Sequence, residues 1–409
     1  MSERVVHLPS GLTVAVEPMV STRTASIGVW VAVGARDEPA DRAGLSHFLE
    51  HLLFKGTDVR SAIEISRAVD RVGGDINAFT SKEYTAYYCR VPARFCDVGI
   101  ELLGEVLTAP TLCDDDVESE RQVILEELAM DDDSPEDVAH RAFARTVFGG
   151  HPLGRDTAGE RDTIRAMTAD SVRSFFGEHY RTGNTVVAVA GAVDPDEVVD
   201  VVAKHFDRMP TGDGRIPRSA PTSPDADRDL HLPDDTEQLH LVTGGRSLPR
   251  TDPDREALDV VNHVLGGGLS SRLFDEIRER RGLAYSVFST TSTYSDTGAW
   301  SIYAGSLPEH AGDVRSVITH ELGRLVEDGI TDDELDIAQG YLAGAYEMGL
   351  EDSGARMSRL GAQLVLLDEL ISVEEQLDRW AAVTHDDVRR VIDRVYGSGR
   401  PVTVSVGPS

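Results

Sequence analysis

The sequence has few cysteines, few lysines and no long apolar run. The three cysteines are an odd number without C-x-x-C spacing, which is typical of small buried thiols rather than a disulfide framework. Apolar runs such as 185–192 are far shorter than the ~20 residues of a membrane-spanning helix. The first residues, MSERVVHLPSGL, lack the apolar segment of a signal peptide. We therefore expect a cytoplasmic protein with no membrane segment.

Positive charge is also scarce. Lys and Arg total 40 against 71 Asp and Glu, which gives a formal net charge of −31 at pH 7. A nucleic-acid-binding protein needs basic patches, so the composition argues against that class. An acidic surface favours solubility and attracts cationic peptides. Lysine occurs only at Lys55, Lys82 and Lys204, so arginine dominates, as a GC-rich genome or a salt-rich environment would both produce.

The residues 43–57, AGLSHFLEHLLFKGT, contain a pattern typical of zinc hydrolases. His47 and His51 are four positions apart in an apolar helical pattern, so both imidazoles lie on one helix face and can reach one metal ion. Glu50 is placed beside them, where a carboxylate can act on a water at the metal. The order H-x-x-E-H is the inverse of the commoner H-E-x-x-H. The alternative is a surface helix that carries these residues by coincidence.

A catalytic zinc site needs three protein ligands. The best source of the third is the helical pattern 114–130, DDDVESERQVILEELAM. Glu120 and Glu127 are seven apart and share one stripe of that helix. Periodicity alone does not choose between Glu126 and Glu127.

The chain also contains an internal repeat. Residues 166–191 align without a gap over 382–407, with Tyr180 over Tyr396 and the same order of helix, glycine turn and buried strand. A Pro-, Gly- and Asp-rich stretch lies between the copies. We predict an α+β fold with an N-terminal catalytic domain, a linker and a C-terminal homologous domain, each domain a mainly antiparallel sheet with helices on one face. The boundaries are 1–209, 210–232 and 233–409.

Only the first copy carries HFLEH. The corresponding helix of the second copy contains a lone His263, which is more typical of a packing residue than of a ligand. The glycines 266–268 that follow lack the Lys-Ser/Thr of a phosphate-binding loop.

HFLEH followed by ERQVILEEL resembles the inverted zinc-motif peptidases, the family of pitrilysin, insulin-degrading enzyme and mitochondrial processing peptidase. The similarity is closest to the short bacterial members and extends over HFLEHLLFKGT, GGDINAFTSKEYTAYY, HPLG and GGGLSSRLFDEIRERRGLAYSV. It implies one zinc ion per chain held by His47, His51 and Glu127. It also implies that Glu50 is the general base and that Glu120 orients a ligand imidazole.

The resemblance also suggests how substrate is bound. The INAFT run is predicted to be an edge strand to which a peptide adds by backbone pairing, through Asn77, Ala78 and Phe79. From the residues alone, Asn77 is equally suited to shaping a turn. Arg278 and Tyr285 match family residues that bind a substrate carbonyl and stabilise the oxyanion. Without the resemblance they are ordinary helix-end residues.

The predicted function is a zinc-dependent endopeptidase that cleaves peptides or unfolded segments inside a clamshell chamber. Long family members carry four such domains and this chain carries two, so we predict a homodimer, with a sister subunit as the alternative partner. We expect the substrates to be peptides, and we expect the protein to bind neither nucleic acid nor membrane. One alternative function is a non-catalytic partner or structural subunit, and another is a metal-bound peptide-binding module without turnover.

Overall fold

The computed structural model describes residues 3–222, 229–397 and 399–408, so part of the predicted linker, 223–228, lies outside the described residues. The chain forms two compact units. Unit 1 comprises the chain up to 129, 155–217 and 348–370, and unit 2 comprises 130–154, 218–347 and the chain from 371. The units are therefore not contiguous halves of the chain. Segment 130–154, from the first half, belongs to unit 2, and segment 348–370, from the second half, belongs to unit 1.

The strands form one sheet in each unit. They are Arg4–His7 (β1), Thr13–Pro18 (β2), Thr24–Val31 (β3), Asp75–Thr80 (β4), Thr85–Pro92 (β5), Thr185–Gly191 (β6), Asp229–Pro233 (β7), Leu239–Ser247 (β8), Ala284–Thr293 (β9), Gly298–Ser306 (β10) and Val402–Gly407 (β11).

The helices are spread over both units. They are Leu45–Leu53 (α1), Ala62–Val72 (α2), Cys96–Thr108 (α3), Asp114–Asp132 (α4), Pro135–Phe148 (α5), Arg161–Ala166 (α6), Ala169–His179 (α7), Pro195–His205 (α8), Arg255–Asn262 (α9), Ala311–Asp328 (α10), Asp332–Gly349 (α11), Ser353–Leu367 (α12), Val373–Ala381 (α13) and His385–Val391 (α14).

The two sheets share one topology. Strand order is β1-β2-β6-β3-β5-β4 in unit 1 and β7-β11-β8-β10-β9 in unit 2. Apart from β1, the orders correspond strand by strand. In both sheets one pair is parallel, β2 with β6 and β7 with β11, and the remaining matched pairs are antiparallel. The α+β class and the duplicated sheets predicted from the sequence are confirmed.

Local sequence signals specify several helix ends. Ser61 and Glu64 form a capping box at the start of α2, and Gly73 ends the helix in the left-handed conformation with φ of 67°. Ser134 caps α5 and accepts a hydrogen bond from the backbone N–H of Asp137, with Pro135 as the first helical residue. The hydrophobic pattern and these caps therefore specify the helices locally.

One face of each sheet carries the main layer of helices. In unit 1 this core joins apolar side chains of α1, α3 and α7 to the inner faces of β2, β3 and β6; examples are Phe48, Leu103, Val172, Val29 and Val187. Cys89 and Cys96 lie in the same core, where burial raises the pKa of both thiols to about 12.

The opposite face of each sheet is covered by a helix encoded in the other half of the chain. In unit 1, Met357, Leu360 and Leu364 of α12 pack on Trp30 and the neighbouring small residues of β3 and β6. In unit 2, Phe143 and Val147 of α5 pack on β8 and β11. The helices α5 and α12 occupy equivalent positions in the repeat, so the exchange is reciprocal.

Within the described ranges, no helix is both long enough and apolar enough to cross a membrane.

Candidate metal centre

The HFLEH helix α1 is held at its start by a buried acid. Gly44 adopts a φ of 92°, a left-handed conformation that favours glycine, immediately before the helix. The Glu38 carboxylate accepts hydrogen bonds from the backbone N–H groups of Gly44 at 2.7 Å and Ser46 at 2.6 Å. A carboxylate at this end also complements the helix dipole. Burial raises the pKa of Glu38 to about 7, and the two backbone hydrogen bonds oppose that shift.

One face of α1 is apolar and the other carries the chemistry. Leu45, Phe48, Leu49, Leu52 and Leu53 are buried in the core of unit 1. This burial turns the remaining face, with the two histidines and the glutamate, toward α4 and β4.

The structure brings His47, His51 and Glu127 together. The Nε2 atoms of His47 and His51 lie 3.9 and 3.6 Å from Oε2 of Glu127. The three candidate ligand atoms are all within 4.8 Å of one another. Glu126, which periodicity did not exclude, is exposed on α4. The geometry therefore supports Glu127 as the third donor.

The donor set suits zinc. Ligand atoms bound at ~2.0–2.2 Å around a tetrahedral zinc ion lie about 3.3–3.5 Å apart, close to the separations found here. Burial lowers the pKa of His47 to about 4, and the neighbouring charge of His51 adds to the effect, so His47 is neutral and able to coordinate at pH 7. The Glu127 side chain is 41% exposed, against 19% and 18% for the histidines, so the centre is accessible from the Glu127 side.

Glu50 is held beside the centre by the end of β4. Thr80 donates a hydrogen bond from Oγ1 to Oε2 of Glu50 at 2.6 Å. Burial raises the pKa of Glu50, and the hydrogen bond from Thr80 opposes the rise. A carboxylate with a raised pKa next to a metal is suited to accepting and returning a proton.

Glu120 lies behind His51. Its Oε2 is 3.1 Å from Nδ1 of His51, and its Oε1 is paired with Nζ of Lys55. The Glu120 side chain is almost completely buried, whereas Lys55 is 35% exposed. In contrast, Nδ1 of His47 is buried without a hydrogen-bond partner among the described residues. The two imidazoles are thus supported differently.

The strand β4 lies at the edge of its sheet. Among the described strands it pairs only with β5, and its residues alternate between exposed and half-buried. Ser81 donates its N–H to the carbonyl of Tyr84, which marks a hydrogen-bonded pair. Such pairs alternate along an antiparallel ladder, so Ala78, opposite Tyr87, directs its N–H and C=O away from β5. Asn77 Oδ1 accepts the Ala78 N–H at 2.8 Å.

Comparisons with known proteins match this architecture over nearly the whole chain. A family model described as insulinase (peptidase family M16) matches residues 13–161, and one described as the peptidase M16 inactive domain matches 166–342. An uncharacterized zinc protease of Streptomyces coelicolor is 45% identical over 98% of this chain and 88% of its own length. The chain belongs to the M16 peptidase family. The family predicted from HFLEH and ERQVILEEL is confirmed.

Other M16 relatives agree. An uncharacterized zinc protease of Bacillus subtilis is 34% identical over 96% of this chain and 93% of its own length. The solved structure of a protease from Helicobacter pylori has a TM-score of 0.93 at 27% identity and covers all of both chains. A peptidase M16 inactive domain from Pseudomonas fluorescens, at 22% identity, has a TM-score of 0.93 over all of this chain and 98% of its own, which shows the shared fold.

Arg278 and Tyr285, the residues of the second half that the resemblance assigns to substrate binding, lie together in unit 2. The guanidinium of Arg278 is 4.5 Å from the ring centroid of Tyr285 and 4.8 Å from that of Phe274. Tyr285 is 78% exposed, so its hydroxyl is available to a ligand. His263 is buried, and its ring stacks on that of Tyr341 with 4.2 Å between the ring centroids, as expected of a packing residue.

Sequence reasoning did not single out Thr80, Lys55 or Glu38 as parts of the centre. Thr80 is the last residue of the INAFT run, and Lys55 lies one helical turn after His51. Both signals were present in the sequence. The pairing of Thr80 with Glu50 and of Lys55 with Glu120 was not predictable, because these contacts form only when separate elements pack together.

Proposed function

We propose that this M16 chain is a zinc-dependent endopeptidase that cleaves peptides or unfolded segments. His47, His51 and Glu127 would hold one zinc ion per chain, and Glu50 would be the general base. The observation that carries the proposal is the approach of both histidine Nε2 atoms to Glu127 Oε2, with Glu50 on the same helix face. The similarity to bacterial proteins described as zinc proteases adds support.

When bound, zinc supplies a Lewis acid that polarises a peptide carbonyl and makes water more acidic. Glu50 removes a proton from the attacking water and later delivers it to the leaving amine. Thr80 fixes the orientation of the Glu50 carboxylate through its Oε2 atom, which leaves Oε1 to meet the water.

Substrate would bind along β4. The outward C=O of Ala78 can accept a hydrogen bond from an extended peptide added as a strand, and its outward N–H, which donates to Asn77 Oδ1 in the free protein, would exchange that acceptor for a peptide carbonyl. Asn77 and Phe79, which flank Ala78 and are exposed, would contact its side chains. Backbone pairing of this kind requires an extended segment, which is why we propose unfolded substrates.

The second half would supply further substrate contacts. We assign Tyr285 to the oxyanion and Arg278 to a substrate carbonyl. In our proposal these residues come from a second copy of the chain, and the homodimer encloses the substrate in a chamber.

The decisive experiment compares acids next to the centre. Glu50→Gln should retain zinc and lose cleavage of a quenched fluorescent peptide by at least ~100-fold, because a general base typically contributes about 10²–10⁴-fold. Glu127→Gln should lose zinc, measured by elemental analysis, whereas Glu126→Gln, the neighbouring exposed acid, should keep both zinc and activity.

A chelator should abolish cleavage and added zinc should restore it. Cleavage that survives Glu50→Gln would remove this residue from its role. Zinc binding by the wild-type protein without cleavage of any peptide in a library would instead favour the non-catalytic subunit.

A further inference from the structure

An ion pair between the buried Glu120 and the partly exposed Lys55 extends the metal centre beyond its ligands. Glu120 divides its two oxygens between two partners, Oε2 for Nδ1 of His51 and Oε1 for Nζ of Lys55. Lys55 follows α1, and its backbone N–H donates to the carbonyl of Leu52, so the helix end fixes where its side chain starts. The three groups form one chain: ammonium, carboxylate, imidazole.

We propose that Lys55 is a positioning residue that acts on His51 through Glu120. The ammonium of Lys55 holds the Glu120 carboxylate in one orientation, and Oε2 of that carboxylate accepts a hydrogen bond from the Nδ1–H of His51. With the proton on Nδ1, the lone pair lies on Nε2, the atom that faces Glu127. The inference rests on the metal site proposed above.

Lysine suits this position better than arginine would. An ammonium is a point charge that can occupy one carboxylate oxygen and leave the other free. A guanidinium binds both oxygens of a carboxylate as a fork and would compete with His51 for Oε2. The chain has only three lysines among its 40 basic residues, and one of them stands here.

We call the series Lys55, Glu120 and His51 the relay. It supports the imidazole of His51 and not that of His47. Nδ1 of His47 has no hydrogen-bond partner among the described residues, so no carboxylate supports that ring from behind as Glu120 supports His51. The loss of Lys55 should therefore affect His51 and leave His47 unchanged. That asymmetry separates a relay from a general weakening of the fold.

The test is zinc affinity, measured by chelator competition on metal-free protein without any peptide. Lys55→Met should weaken zinc binding about 10–100-fold, the usual effect of losing a group that supports a ligand. Lys204→Met, the same change at an exposed position near the end of α8, is the matched control and should bind zinc as the wild type does. In metal-free protein, nitrogen chemical shifts of His51 should change from the Nδ1–H form to a mixture, with those of His47 unchanged.

A double-mutant cycle tests the route through Glu120. In a Glu120→Gln background, adding Lys55→Met should cause no further loss of zinc affinity, because the acceptor that Lys55 holds is already altered. The double variant leaves no unpaired buried charge. It can therefore be compared with Glu120→Gln even if Lys55→Met alone does not fold.

Two results would overturn the relay. One is a Lys55→Met protein with wild-type zinc affinity, and the other is a full additional loss in the Glu120→Gln background. Failure of the wild-type protein to bind zinc would instead contradict the proposed metal site itself.

Discussion

At the scale of single residues, burial sets the protonation of the groups around the centre. It lowers the pKa of His47 to about 4 and raises that of Glu38 to about 7. The sequence could identify His47, Glu50 and His51, since their spacing on one helix is local. It left Glu126 and Glu127 open because one residue of helix rotation depends on how α4 packs, which only the tertiary structure specifies.

A half-buried acid in unit 2, Asp259, gives a prediction about pH. Burial raises the pKa of Asp259 on α9 to about 6, and Trp380 Nε1 donates to its Oδ2 at 3.1 Å. The folded state therefore binds more protons than the unfolded state between about pH 4 and pH 6, so the stability contributed by Asp259 falls as pH rises through this range.

We expect the stability of Asp259→Asn relative to the wild type to increase by on the order of 2 kcal/mol from pH 4 to pH 7. The measurement is denaturant unfolding of both proteins across that range. The difference between their free energies of unfolding is used because the contributions of the other titrating groups cancel in it. A difference that does not vary with pH would show that Asp259 titrates normally.

At the scale of elements, sequence patterns predicted one helix and one strand that form the centre. The run 114–130 became α4, Asp114–Asp132, and INAFT became β4 at the sheet edge. The partner of α12 was not predictable. A pattern shows that a helix buries one face, but it does not show which sheet receives that face.

The contact between α12 and its sheet can be tested with glycines. A Cβ at Gly361 would lie 2.1 Å from Cε3 of Trp30, whereas a Cβ at Gly344 in α11 meets nothing within 4 Å. Gly361→Ala should destabilise unit 1 by about 1–3 kcal/mol through overpacking. The matched control Gly344→Ala should stabilise by up to about 1 kcal/mol through helix propensity.

Thermal or denaturant unfolding measures both variants. Equal changes in the free energy of unfolding for the two variants would mean that Gly361 is not in close contact with Trp30.

The edge strand β4 gives a prediction about substrate. Ala78→Pro removes the outward N–H while leaving the ladder to β5 intact, and proline is tolerated at such edge positions. We expect KM to rise by at most about tenfold, the effect of one lost hydrogen bond of about 1.4 kcal/mol, because the Ala78 N–H already has Asn77 Oδ1 as an acceptor in the free protein. Steady-state kinetics with an extended peptide provides the test, and an unchanged KM would place the substrate elsewhere.

At the scale of the whole molecule, the repeat was visible in the sequence because the end of each half aligns without a gap. Among the described strands, every strand of the first sheet except β1 has a counterpart in the same order in the second sheet, so the repeat extends through both sheets. The partner chain, the chamber and the cytoplasmic location stay predictions, since they depend on surfaces beyond one chain.

Mixing two inactive variants tests whether sites are shared between chains. Glu50→Gln lacks the proposed base, and Tyr285→Phe lacks the proposed oxyanion donor. If Tyr285 acts on the partner's centre, random pairing gives heterodimers with one intact site, and about a quarter of wild-type peptidase activity should return.

The control is each variant mixed with itself. No recovery from the mixture, with heterodimers detected by mass spectrometry, would place Tyr285 at the centre of its own chain or remove it from the reaction.

The exchanged helices also determine the order in which the protein can be completed as it is made. All strands of the first sheet have been synthesised by Gly191, but the helix that covers Trp30 ends at Leu367. At about 5–20 residues per second, the ribosome needs roughly 10–35 s to add the intervening chain. For that interval the Trp30 face is an apolar surface on a nascent chain, where a chaperone would bind.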